Sequence, residues 1–260
     1  MRILLTNDDG ILADGLWAMA RELKDIAQLI VAAPDREQSA IGTAVTLRQV
    51  LRVRKMKPLL PDVETYAVEG TPSDSVILAL GKLAKSQVDV IISGVNQGTN
   101  LGEDTHISGT VGAALQGYLR GFTSLAVSAP YGSEQHLATA ARVAALLAQW
   151  ICAGALPVKA FLNINVPDIP ASQICGVKVT RLASESHINT VEEGDRGRQK
   201  YYWLVRQQAG GAADDRTDIW AEEHGYVSIT PLFASRHDKP LLTALNALCP
   251  DIFRELMSAP

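Results

Sequence analysis

Asp8 and Asp9 stand side by side directly after a short apolar run, Ile3-Leu4-Leu5, and just before Gly10. The run is too short for a helix and fits a buried strand, and the glycine marks the turn that ends it. In open α/β sheets, ligands bind in the crevice at the carboxyl ends of the strands. Adjacent carboxylates repel each other, and a cation between them offsets that repulsion. Asp8 and Asp9 are therefore the first candidates for a hard-metal site. The plainer alternative is a polar turn with two solvated acids.

A second segment with chemical potential runs from Ser93 through Gly94, Asn96, Gly98, Gly102 and Asp104 to Ser108-Gly109-Thr110-Val111-Gly112. It follows one apolar run and opens a helical pattern. The first N–H groups of a helix are unpaired and carry the positive end of its dipole, so Ser108 to Thr110 offer an anion site. Neither the Walker loop nor the dinucleotide fingerprint is present. An ordinary glycine-rich connection is the alternative, but structureless loops of this length are uncommon in compact domains unless they are functional. Asn96, expected just past a strand end, has an amide oxygen able to ligate a hard cation. A third strand end supplies Pro34 to Ala40, where Asp35, Glu37 and Ser39 all remain candidates: Asp35 suits a turn cap and Glu37 a solvated surface acid. His106 lies in the anion loop and could protonate a leaving oxygen near neutral pH. A surface or packing role is the simpler reading of it.

The elements that must position these residues alternate along the first 165 positions. Leu16, Met19, Ala20 and Leu23 fall on one helical face, Leu29 to Ala33 read as a strand, and Thr71-Pro72-Ser73-Asp74 is a helix start. Val88 to Ile92 predict a strand ending at Ser93-Gly94. A helix is expected from about Thr110 and a strand over Ser124 to Ser128. A long helix capped by Ser133 carries Val143, Leu146, Leu147, Trp150 and Ile151, and a strand follows over Phe161 to Val166. Trp17 and Trp150 are read as core. Such alternation predicts a mostly parallel sheet with helices on both faces. Beyond residue 175 the chain becomes polar. Tyr201 to Val205 and Tyr226 to Ile229 are β-prone runs that could pair as a hairpin arm over roughly 180–232, and Gly210-Gly211 with Asp214-Asp215 looks like a loop. Exposed aromatic strands of this kind are usually covered by a partner subunit.

Composition narrows the class. The 260 residues are 47% hydrophobic and 20% charged with a formal net charge of −4. That suits a soluble globular protein of one large α/β domain or two small ones, and argues against a nucleic-acid polymer as partner, which wants a basic surface. Cys152, Cys175 and Cys249 form no CxxC pair, which suits a reducing, cytoplasmic compartment. No apolar stretch approaches the roughly 18 residues of a membrane span, and no leader is visible.

Taken together, the segments resemble one family. Asn-Asp-Asp-Gly at 7–10, Ala-Pro-Asp-Arg at 33–36 with Ser39, Gly-Thr-Pro-Ser-Asp at 70–74 and Ser-Gly-Val-Asn through Ser-Gly-Thr-Val-Gly-Ala-Ala at 93–114 occur in order. With Asn163-Ile164-Asn165-Val166-Pro167 and Tyr226 to Leu232, they are similar to the SurE family of survival-protein nucleotidases. The resemblance spans nearly the whole chain. It implies a single Rossmann-like α/β phosphatase domain over 1–260 that acts on nucleoside monophosphates with a divalent metal. It also implies a homodimer or homotetramer joined through the C-terminal arm. Carried over by position, the metal ligands are Asp8, Asp9, Ser39 and Asn96, and the phosphate meets Asn96, Ser108, Gly109 and Thr110. The sequence departs from the family pattern at Ala40, where glycine is usual, at Gln116, where glutamate is usual, and over 233–239, to which no leaving-group or loop role is carried.

An all-oxygen ligand set suits Mg²⁺ or Mn²⁺ better than zinc. Asp8 is the group assigned to orient an attacking water, with direct attack by Asp8 as the alternative. Activity on 5′ esters could extend to 3′ esters and short polyphosphate. Two other classes compete: a receiver-like Mg²⁺-binding domain and a non-catalytic nucleotide sensor. Receivers are much shorter and carry a further aspartate at a later strand end, where this chain has Gly94 and Asn96.

Overall fold

The computed structural model describes residues 1–57, 59–84, 86–154, 159–184, 188–195, 200–206 and 214–232. These residues form eleven strands and five α-helices. The strands are β1 (Arg2–Thr6), β2 (Gln28–Pro34), β3 (Val53–Lys55), β4 (Glu64–Val68), β5 (Val90–Gln97), β6 (Thr123–Ala129), β7 (Phe161–Asn165), β8 (Gly176–Val179), β9 (Ile188–Asp195), β10 (Lys200–Arg206) and β11 (Tyr226–Pro231). The helices are α1 (Asp14–Leu23), α2 (Pro72–Leu78), α3 (Gly109–Leu119), α4 (Glu134–Cys152) and α5 (Asp218–Glu223). Nine strands form one sheet in the order β3-β4-β2-β1-β5-β6-β7-β11-β8. It is parallel except where β3 meets β4 and β11 meets β7.

Strands buried on both sides explain the continuous apolar runs. Ile3 and Leu5 join one core with α1 and α4, while Leu4 joins a second core with Val76 of α2 and Ala113 of α3. Helices thus cover both faces, as the alternation predicts. The expected face of α1 is buried at Leu16, Met19, Ala20 and Leu23. At the start of α2 the Thr71 hydroxyl accepts from the Asp74 N–H, and the Asp74 carboxylate accepts from the Thr71 N–H. This reciprocal cap satisfies two otherwise unpaired donors. After Leu78 the helix widens into a π-helical turn over 79–83.

Four details differ from the sequence reading. First, β5 continues past Ser93-Gly94 to Gln97. One extra residue is accommodated between Ser93 and Asn96 against β6, with Gly94 at φ +130°. Asn96 therefore belongs to the strand, re-aimed by a bulge. Second, α4 buries Leu137 and the alanines 140, 141, 144, 145 and 148, whereas Trp150 is 65% exposed. Small side chains let α4 approach α1 and the sheet closely; Val143, Leu147 and Ile151 pack at the margin of that core, and Leu146 and Trp150 turn outward. Third, β10 pairs antiparallel with β9 to form a separate two-stranded sheet. The hairpin partner of Tyr201 to Val205 is thus the polar segment before it. Fourth, β11 lies within the main sheet between β7 and β8, its Val227, Ser228 and Thr230 buried. A strand covered on both faces can bury this run; an arm cannot. Gly210-Gly211, residues 233–239, His187, His237 and Cys249 lie outside the described residues.

Candidate metal and phosphate site

The crevice forms where β1, β2 and β5 end beside the start of α3. After β1, the Asn7 amide donates to Gly10 O at 3.0 Å and closes the turn. The Asp8 carbonyl accepts from the Gln38 N–H at 2.7 Å, which ties the loop after β2 to the same place. The Asp8 side chain is only 3% exposed. Its carboxylate accepts from both the hydroxyl and the backbone N–H of Thr110. Residues 102 positions apart thereby join the end of β1 to the first turn of α3. The anion lying at that helix start is Asp8 itself, in the place where the dipole favours negative charge. Asp9 is half-buried, and its carboxylate accepts from the Gln97 N–H at 3.3 Å.

Burial governs the electrostatics of this pair. Desolvation raises the Asp8 carboxyl above its ordinary range, against the lowering effect of the Thr110 hydrogen bonds. The Asp9 carboxyl is pushed up to about 7, first by burial, then by the Asp8 charge and more weakly by Glu37. Two adjacent carboxylates at the edge of a low-dielectric interior thus resist being ionised together.

The other expected ligands flank the pair. Asn96 turns its Nδ2 to Gly98 O at 2.6 Å, which leaves Oδ1 for another partner. Ser39 is exposed and donates to Glu37 Oε1 at 2.8 Å, not to the acid pair. Glu37 is exposed, as expected for a surface acid, yet it contributes to the potential at both aspartates. Sequence reasoning did not assign it that position. Among the described residues no group of three His, Cys, Asp or Glu is arranged to hold a metal. A cation at Asp8 and Asp9 would therefore complete its shell from neutral oxygens such as Asn96 Oδ1 and Ser39 Oγ. The residues fit a hard divalent ion on two counts: all donors are oxygen, and among the described residues no cationic side chain is bonded to either carboxylate.

At the start of α3, the Ser108 hydroxyl accepts from the Val111 N–H at 3.2 Å as the N-cap, so its own hydrogen stays available to a ligand. The Thr110 hydroxyl, by contrast, is spent on Asp8. Ala40, placed where glycine is usual, sits at φ +56°, a region that costs a side-chain-bearing residue energy. Gln116 pairs with the Arg120 guanidinium at 2.6 Å.

A polar network missed by the sequence reading anchors the long loop between β5 and α3. Asn100 donates its N–H to Asn165 Oδ1 and its Nδ2 to Ser128 Oγ, both at 2.8 Å. Its carbonyl accepts from the amides of Asn163 and Asn165 at 2.8 and 3.1 Å. Further along, the Gly102 N–H donates to the buried Asp218 carboxylate at 2.9 Å. The signal was present: asparagines at i and i+2 within an apolar strand must share one face. His106 is exposed at the end of this loop. It lines a groove of about 630 Å³ with Thr43, Val111, Leu115 and Phe161, and neither Asp8 nor Asp9 forms a wall of that groove.

Known proteins are similar to this chain over nearly their full length. The family model described as Survival protein SurE matches residues 3–189. A protein from Dehalococcoides mccartyi strain CBDB1 named 5′-nucleotidase SurE is 53% identical over 249 residues, covering 95% of this chain and 94% of its own. One of the same name from Vibrio parahaemolyticus is 41% identical over 234 residues, covering 89% and 88%. The crystal structure of the SurE protein from Aquifex aeolicus superposes with a TM-score of 0.82 at 33% identity, over 95% of this chain and 99% of that one. A family model matched over residues 3–189 and relatives up to 53% identical over 95% of the chain show that the chain belongs to the survival protein SurE family.

Proposed function

We propose that this protein is a divalent-metal-dependent phosphomonoesterase that hydrolyses nucleoside monophosphates to nucleoside and phosphate by in-line attack of water. The observation that carries the reading is the Asp8–Asp9 pair, with Asp8 buried against the first turn of α3 and Asp9 half-buried beside the end of β5. The 5′-nucleotidase name of relatives up to 53% identical supports it. It remains open to 3′ esters and short polyphosphate.

In this reading Asp8, Asp9, Ser39 and Asn96 hold the ion, for which an oxygen donor set suits Mg²⁺ or Mn²⁺. When bound, the cation offsets the carboxylate charges and polarises a phosphoryl oxygen. Asn96, the Ser108 hydroxyl and the Gly109 N–H position the phosphate, and electrostatic stabilisation at the helix start favours the charge that develops there. Thr110 acts through Asp8: its two hydrogen bonds fix the carboxylate so that the free oxygen can orient a water. That water attacks phosphorus, the ester P–O bond breaks, and the departing oxygen takes up the proton that the water gives up, so that nucleoside and phosphate are the products. The 1–260 chain acts as one phosphatase domain. Self-association through the β9–β10 arm into a dimer or tetramer is supported by Tyr202, Trp203 and Leu204, all more than half exposed. Exposed free thiols at Cys152 and Cys175 suit a cytoplasmic location.

The test is phosphate release from AMP by metal-stripped protein to which Mg²⁺ or Mn²⁺ is restored. Turnover should return with the metal and be abolished in Asp9→Asn. No turnover with any divalent ion refutes the enzyme, and tight AMP binding without turnover makes the protein a nucleotide sensor instead.

A further inference from the structure

Tyr131 stands on the loop that leaves β6, and its side chain is 69% exposed. One side of the ring rests on the backbone of Gly98, where a Cβ would lie 2.7 Å from Tyr131 Cε2 and 3.1 Å from its Oη. Only glycine at 98 lets the ring come so close. Gly98 is itself fixed: its N–H donates to Ala129 O at 2.7 Å, and its carbonyl accepts from Asn96 Nδ2 at 2.6 Å. Pro130 precedes the tyrosine and restricts the backbone further. The ring thus lies against the backbone just past Asn96, while the neighbouring Gln97 binds Asp9.

We propose that Tyr131 is the platform on which the base of the nucleotide stacks. This rests on the phosphomonoesterase reading of the same crevice and adds the determinant of its substrate. Asn96 and Gly98 stand two positions apart, at most about 7 Å along the chain, a span comparable to the ribose between phosphate and base. A tyrosine ring held in place offers a large amphipathic face at low entropic cost. Stacking accepts every base and strengthens with ring area, so purine monophosphates are preferred over pyrimidine ones.

The test compares wild type, Tyr131→Ala and Tyr131→Phe on AMP and on ribose 5-phosphate, which lacks the base. In Tyr131→Ala, KM for AMP rises about five- to tenfold with kcat little changed. Ribose 5-phosphate kinetics stay within about twofold, and Tyr131→Phe restores the wild-type value for AMP. A structural defect would move both substrates together. Equal effects on both, or none on either, overturn the platform. If wild type hydrolyses neither substrate, the phosphomonoesterase reading has failed, and AMP affinity by calorimetry decides: a Kd unchanged in Tyr131→Ala overturns the platform too.

Discussion

Asp9→Asn, expected to abolish activity, should also stabilise the metal-free protein. Asparagine matches aspartate in shape and can still accept the Gln97 N–H with its amide oxygen, so the change removes charge and little else. A carboxyl raised from 3.8 to about 7 corresponds to about 4 kcal/mol of unfavourable ionisation in the folded state. Asp9 keeps part of its surface in water, which screens the effect to roughly 1–2 kcal/mol. The sign follows from proton binding. Between about pH 4 and pH 7 the folded state holds a proton on Asp9 that the unfolded chain has released. Wild-type stability therefore falls as pH rises through this window, and the variant loses that dependence. In a chelator, the variant should melt about 2–8 °C above wild type at pH 8 and close to it at pH 4.5. Adding Mg²⁺ or Mn²⁺ at a hundred times its Kd should stabilise wild type by about 2.7 kcal/mol and reverse the order. Thermal melts at the two pH values, with and without metal, are sufficient. A variant less stable than wild type at pH 8 in chelator, or an offset independent of pH, refutes the account of a buried, mutually repelling pair.

Three further outcomes follow from single contacts. Thr110→Val keeps the branched shape but removes the hydroxyl donor to Asp8; kcat should fall roughly 10- to 100-fold, and the acid limb of the pH–rate profile should move upward, because a bond that lowers the Asp8 pKa is gone. In Gly109→Ala the new Cβ would lie 2.8 Å from Asp8 Cβ and 2.9 Å from Oδ2, so the carboxylate must shift and kcat should drop sharply in a protein that still folds, as circular dichroism and kinetics together would reveal. Ala40→Gly should raise unfolding stability by about 0.5–1 kcal/mol in urea, since a residue at φ +56° is relieved.

What the chain determines by itself is local. Apolar runs of strand length, their alternation with helical patterns, and the turn after each one placed Asp8 and Asp9 at a strand end and Ser108 at a helix start, because period and capping are encoded within a few residues. The Thr71–Asp74 cap was legible for the same reason. The family motifs added Ser39, which spacing left level with Asp35 and Glu37. Tertiary closure decided the rest. The union of Asp8 with Thr110 spans 102 positions, and no local pattern announces that the threonine spends its hydroxyl on the acid. The shift of Asp9 to about 7 exists only once the crevice excludes water. The faces of α4 and the partner of β10 also depended on competition among surfaces: an alanine stripe won the interior over Trp150, and β11 joined the main sheet, leaving β9 to pair with β10. Sequence fixes which groups stand at the ends of the elements, while the folded interior sets which of them meet, and in what dielectric.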